Sequence, residues 1–335
     1  MIGSKSKPSI VTAALCGVAG IASVGLAPAG AADEKLTIVY THHSSASNPF
    51  WQAVKKGFDD ACAKIGASCQ MIFTQNEGTV EQEVANQQAA LARKPDALIT
   101  TLVDNNAFLA NLKDAKEKGV IVIASNVDAT EGPELEYRQA FVGQNFVPAG
   151  ATLGRRMAAL FPKEGPIRVL VGVNAPGQNW SERRAKGIMT GLEEFKKGNP
   201  NREIVIDKLD VSADGAVVAD RVGAYLSAHP DTTAYIETGL WHSNVARMLR
   251  DRGIPPGKIL LGGFDLAAVV IEQLKNGYIQ VEIDQQPYEQ GFLPVMQVYL
   301  EKKVGLMPAD IDSGEAVFTP EQADQLMSLA KQGVR

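Results

Sequence analysis

The feature that most limits what this chain can fold into is a rhythm of short apolar runs and longer amphipathic stretches. "LTIVYT" (36–41) leads into Trp51, Val54, Phe58 and Ala61, which recur at steps of three and four residues. "CQMIFT" precedes a helix-like 79–93, "ALITTLV" precedes 105–118, and "VIVIASN" closes this first series. The second series runs "IRVLVGV" before 181–197, "EIVIDKL" before 214–228, "TAYIET" before 241–252 and "KILLGGF" before 265–276. The strand-like runs are almost continuously apolar, with no polar face. Strands of that kind are covered on both sides, so parallel sheets flanked by helices are expected. The chain is read as α/β, with two doubly wound parallel-sheet domains. Residues 278–335 add a strand, a helix from about 288, an extended piece and a short final helix after Thr319-Pro320. Asn48-Pro49, Ser181 and Asp214 suit helix starts, and Gly119 and Gly253 suit helix ends.

Residues 1–32 stand outside this rhythm. Lys5 and Lys7 precede an apolar stretch, Ile10 to Ala27, and Ala29-Gly30-Ala31 offers a small-residue cleavage site before "DEK". That pattern is a secretory signal peptide cleaved near Ala31, and the expected location is the periplasm. Leu15 stands where a lipoprotein signal needs a small residue, which argues against a lipid anchor on Cys16. The rest of the chain carries 31 basic and 38 acidic side chains. That mildly acidic balance excludes the concentrated basic surface a nucleic-acid partner needs. An oxidising compartment favours a local disulfide between Cys62 and Cys69; the competing reading is two small buried thiols.

In open parallel sheets ligands bind beyond the carboxyl ends of the strands. The residues directly after the apolar runs include His42, His43, Asn48, Phe50 and Trp51, then Asp104 and Asn105, then Asn126 and Asp128. In the second half they include Asn174, Gln178, Asn179, Trp180 and Arg184, then Asp210 to Asp214, Trp241, His242 and Asp265. All three tryptophans of the chain are in this set. Aromatic rings with carboxylate, amide and guanidinium groups suit a sugar or polyol, whose C–H faces pack on rings and whose neighbouring hydroxyls both donate and accept. Each residue also has a plainer role: Trp180 and Trp241 can cover the sheet, Asp265 can cap a helix, and Arg184 can pair with Glu182 or Glu193. No phosphate loop, dinucleotide fingerprint, nucleophile elbow, His-Glu-x-x-His helix or Cys-x-x-Cys pair occurs, and four histidines leave little for a metal cluster. Neither an enzyme, a cofactor nor a bound metal is expected.

Six segments in order, "SNPFW", "GQNF" (143–146), "SERRAKGI" (181–188), "SAHPDTTAYIETG" (227–239), "GGFD" (262–265) and "IDQQPYEQG" (283–291), resemble the class I periplasmic substrate-binding proteins of ABC transporters, of the ribose/galactose-binding type. The resemblance implies a two-lobed receptor that closes on one monosaccharide and passes it to a membrane permease, or presents it to a chemoreceptor. It implies an N-terminal lobe of 33–143 plus 286–313, a C-terminal lobe of 144–285 plus 314–335, and a three-segment hinge near 143–145, 285–287 and 313–315. A monomer is expected. Asn48, Phe50 and Trp51 match first-lobe sugar contacts of that family, and Arg184, Asp265 and Gln285 match contacts in the second lobe and hinge. Asn126 falls where the ribose pattern has an Asp, Val127 where it has an Arg, and Gly239 where it has an Asn. The expected ligand set is His42, Asn48, Phe50, Trp51, Asp104, Asn126, Asp128, Trp180, Arg184, Trp241, Asp265 and Gln285.

Overall fold

The structure, a computed structural model, describes residues 35–335; the expected signal peptide lies outside the described residues. The first sheet gathers β1 (Thr37–Ser45), β2 (Ser68–Thr74), β3 (Ala97–Thr100), β4 (Ile121–Asn126), β5 (Ala140–Gly143) and β11 (Ile311–Asp312). Its strands run in the order β11-β5-β4-β3-β1-β2, all parallel. The second sheet holds β6 (Ile167–Val173), β7 (Ile204–Asp210), β8 (Ala234–Glu237), β9 (Leu260–Phe264), β10 (Val281–Asp284) and β12 (Ala316–Phe318), in the order β12-β10-β9-β8-β6-β7. The two orders are the same pattern used twice. One strand departs from the all-parallel expectation: β12 pairs antiparallel with β10 at the sheet edge.

The helices follow the apolar periodicity. They are α1 (Pro49–Ile65), α2 (Val80–Leu91), α3 (Leu109–Glu117), α4 (Phe146–Ala158), α5 (Asn179–Gly198), α6 (Gly215–Ala228), α7 (His242–Asp251), α8 (Ala268–Lys275), α9 (Pro287–Val304) and α10 (Ala323–Lys331). The Asn48 side chain accepts from Phe50 N at 3.1 Å and Pro49 opens the first turn of α1, while Gly66 closes the helix at φ +68°. Asp214 caps α6 through Ala216 N and Val217 N. Ser181 does not cap α5: the helix starts two residues earlier, and the Ser181 hydroxyl accepts from Ala175 N inside it. The Cys62 and Cys69 sulfur atoms are bonded, which ties the end of α1 to β2.

The chain passes between the sheets three times: from β5 into α4, from β10 into α9, and from β11 into β12. Glutamines stitch these crossings together. Gln144 Nε2 donates to Gly314 O at 2.9 Å, Gln286 Nε2 to Ser313 O at 2.8 Å, and Gln290 Nε2 to Ser313 Oγ at 3.0 Å.

Two helix pairs pack backbone to backbone through glycine. In α1 against α9, a Cβ on Gly57 would collide with Tyr288 O and one on Gly291 with Val54 O. In α4 against α5, a Cβ on Gly150 would collide with Arg184 O and one on Gly187 with Val147 O. All four colliding atoms are backbone and cannot swing aside. Gly291→Ala is therefore expected to destabilise the protein by about 3 kcal/mol or more. Gly305→Ala serves as the contrast, because a Cβ there meets nothing within 4 Å and meets only the backbone strain of φ +75°. Urea unfolding of both variants checks this.

Candidate ligand-binding cleft

Strands of both sheets end at one cleft, and their last residues supply its walls. Asn126 ends β4 and Asp265 follows β9, the equivalent strands of the two sheets. Both adopt left-handed backbone, at φ +68° and +76°. Asn and Asp tolerate that region better than other residues with a Cβ. The turn aims each side chain into the cavity at its strand's end. The cavity encloses about 570 Å³ of non-atom space, the solvent at its mouth included.

Nine of the twelve expected ligand residues line it: Asn48, Phe50, Trp51, Asn126, Trp180, Arg184, Trp241, Asp265 and Gln285. The other three are placed elsewhere. His42 is fully buried behind Trp51, its ring stacked on the indole at 3.9 Å between centroids and 7° between planes. Because β1 runs on to Ser45, residues 42–45 are strand, and His42 points away from the cavity into the core. Asp104 makes a turn, accepting from Asn106 N and Ala107 N at 2.8 and 2.9 Å. Asp128 is held in a two-pronged pair with Arg138, at 3.0 and 2.7 Å.

Arg184 and Asp265 form the electrostatic centre. The Arg184 guanidinium lies 4.0 Å from the Phe264 ring centroid, 4.8 Å from that of Phe146 and 5.8 Å from that of Trp180. It donates to Thr238 O at 3.0 Å and Gln144 Oε1 at 3.1 Å, which leaves three of its five donors without a protein partner. Burial pulls its pKa down to about 10 against the opposing pull of Asp265, so it stays cationic near neutrality. Burial raises the Asp265 carboxyl, while Arg184 and a 2.6 Å hydrogen bond from Gln285 Nε2 hold it back. Asn126 Nδ2 reaches Gln285 Oε1 at 3.2 Å, so one amide network joins the two sheets. At Gly239 a Cβ would come 2.8 Å from Asn174 Oδ1, so Asn174 takes the space an asparagine would need there.

Ten further lining residues lie outside the expected set, and four of them bear on the chemistry of the cavity. Glu77, after β2, accepts from the Ser44 and Ser45 hydroxyls, Ser45 N and Asn48 Nδ2. The same rule about strand ends reaches it once applied to β2. Phe146 opens α4. His43 and Asn174 were in the wider list of residues after the apolar runs and line the cavity too. The cleft is bridged beside the cavity by two more residues of that list. Gln178 Nε2 donates to Gly78 O at 2.9 Å, and Asn179 donates from N to Val103 O at 2.8 Å and from Nδ2 to Leu102 O at 3.0 Å. No group of three His, Cys, Asp or Glu side chains placed to hold a metal occurs among the described residues.

With this geometry in view, the comparisons decide the family. The profile of the periplasmic binding protein domain matches residues 39–303. The chain belongs to that family. This periplasmic binding protein is 29% identical over 298 residues to the xylose/arabinose-binding protein XylF of Sulfolobus acidocaldarius, covering 84% of this chain and 70% of that one. A periplasmic sugar-binding protein of an ABC transporter from Legionella pneumophila superposes with a TM-score of 0.77 at 26% identity, over 84% of this chain and 100% of the other. A carbohydrate transporter protein of Acidothermus cellulolyticus, solved with myo-inositol, shares the fold with a TM-score of 0.74 at 23% identity, over 90% and 100%. These relatives are solute-binding proteins and not enzymes, which agrees with the lack of a catalytic motif in the sequence.

Under the cavity floor of this periplasmic binding protein, His242 Nε2 meets Glu282 Oε1, both fully buried. Burial pushes Glu282 up to about 7 against the pull of His242. Burial also lowers His242, but Glu282, Glu237 and Asp265 outweigh it and hold the imidazole above its usual range. Removing one partner strands the other, so Glu282→Ala is expected to cost about 3–5 kcal/mol. The double variant His242→Leu/Glu282→Met should recover most of that loss in denaturant titrations.

Proposed function

We propose that the protein is an exported receptor that captures a neutral monosaccharide or sugar alcohol in the cleft and delivers it to an ABC transporter permease. The observation that carries the reading is one cavity between two strand edges that is lined by three tryptophans, one guanidinium and two carboxylates. Rings take the apolar faces of a sugar, and the planar polar groups take its hydroxyls in pairs. Among the described residues Arg184 is the only cation lining the cavity, against Asp265 and Glu77, which disfavours a phosphorylated or acidic ligand. The names of the relatives, xylose/arabinose-binding and sugar-binding, support the same class.

In this reading the protein acts in the periplasm as a monomer, after removal of residues 1–32 near Ala31. The lobes comprise 33–143 plus 286–313 and 144–285 plus 314–335, and the crossings near 143–145, 285–287 and 313–315 serve as the hinge. A ligand that touches both lobes favours the closed form, because the open form contacts it from one side only. The nine lining residues of the expected set are its contacts, and His42 backs the Trp51 wall.

Titration calorimetry with D-xylose, D-arabinose, D-ribose, D-allose and myo-inositol tests the reading. At least one should bind with an affinity in the micromolar range or tighter. Asp265→Asn keeps the left-handed turn and removes the charge, and should weaken that ligand about tenfold. Binding of none, or an unchanged affinity in Asp265→Asn, contradicts the assigned site.

A further inference from the structure

His43 sits where the two lobes meet, and its two ring nitrogens have different surroundings. The ring is 94% covered, edge-on to Trp51 of the first lobe at 5.6 Å and 88°, and roughly parallel to Trp180 of the second at 6.4 Å and 29°. Nδ1 lies 3.1 Å from Thr101 Oγ1. The Thr101 hydroxyl is fully buried and donates to Glu83 Oε1 at 2.5 Å. With Glu83 Oε1 accepting that proton, the Thr101 oxygen is left to accept from the imidazole. Burial pushes Glu83 up to about 8, and its Oε2 has no partner among the described residues, so the neutral acid's proton on that oxygen leaves Oε1 free to accept. Nε2 has no protein partner among the described residues, and the ring lines the cavity.

We propose that His43 is a ligand-reading residue fixed in its Nδ1–H tautomer by the Thr101–Glu83 relay, so that Nε2 presents a bare lone pair to one donating hydroxyl of the bound sugar. The proposal rests on the sugar-receptor reading above and names one of its specificity determinants. Arg184 donates to ligand oxygens; His43 supplies the opposite polarity on the opposite lobe, as a neutral acceptor. Burial holds the ring neutral, with its pKa pushed down to about 3. Thr101 and Glu83 do not line the cavity and act as positioning residues. Thr100, beside Thr101, has pairings of its own: its Oγ1 takes Gln87 Nε2 at 2.7 Å and lies 2.9 Å from Thr41 Oγ1. A site that accepts from a hydroxyl discriminates strongly against a sugar lacking it, because the buried acceptor is then left unpaired.

The test joins ring-nitrogen NMR of the ¹⁵N-histidine-labelled protein with calorimetry on the sugar that binds best among D-xylose, D-arabinose, D-ribose, D-allose and myo-inositol. His43→Phe assigns the His43 signals. In the wild type His43 should be neutral with its proton on Nδ1. Thr101→Val keeps shape and removes the relay; it should populate the Nε2–H tautomer and weaken the sugar about tenfold. Thr101→Ser restores the hydroxyl and should restore both readouts. A wild-type proton on Nε2, or a changed tautomer in Thr101→Val with unchanged affinity, overturns the proposal while leaving the receptor reading intact. A wild type that binds none of the five sugars overturns the receptor reading itself and, with it, the role of His43 as a reader.

Discussion

The start of α5 is pushed into the strand ends of the opposite sheet, and the cavity depends on that contact. Asn179 meets the carbonyls of Leu102 and Val103 with its side chain and its backbone N–H. The carbonyls that follow β3 have no further strand to pair with, and leaving them buried and unpaired would be costly. Asn179 supplies the missing donors from the other lobe. Trp180 and Arg184 follow on the same helix and are thereby carried over the cavity. The cleft is thus closed by hydrogen bonds to backbone carbonyls, and two of the residues proposed to read a ligand are attached to the element that closes it.

Polarity divides across the cavity in a way that suits a polyol. The second lobe brings the cation, Arg184, with donors to spare, and the Asp265 carboxylate beside it. The first lobe brings the Glu77 carboxylate and, in the proposed tautomer, the imidazole of His43 as acceptors, and the amide of Asn126 joins both sides. Left-handed backbone at Asn126, Asp265 and Gln286 marks where the fold accepts strain beside the site and the crossings. Strain kept at such positions commonly accompanies function.

Much of this was legible in the sequence, for identifiable reasons. Apolar runs without a polar face disclosed parallel sheets, and the rule about strand ends then placed Arg184, Asp265, Asn126 and all three tryptophans near one another. The rule failed where strand length was misjudged. β1 continues through His42 to Ser45, so His42 became core and His43 turned toward the cavity. It also failed where a polar residue has local work: Asp104 satisfies two backbone N–H groups, and Asp128 holds Arg138. β5 and α4 escaped notice. β5 has only four residues, and α4 carries Pro148, Gly150 and Gly154, poor helix formers whose value lies in close packing on α5. The antiparallel β12 has three residues and no pattern to reveal its direction.

The central claim is that a sugar draws the two lobes together across this cleft. Small-angle X-ray scattering tests it directly, on protein freed of any co-purified ligand by unfolding and refolding. The account predicts that the radius of gyration falls on saturation with the bound sugar, toward the value calculated from the bridged form described above. An unchanged radius of gyration with sugar bound would contradict it.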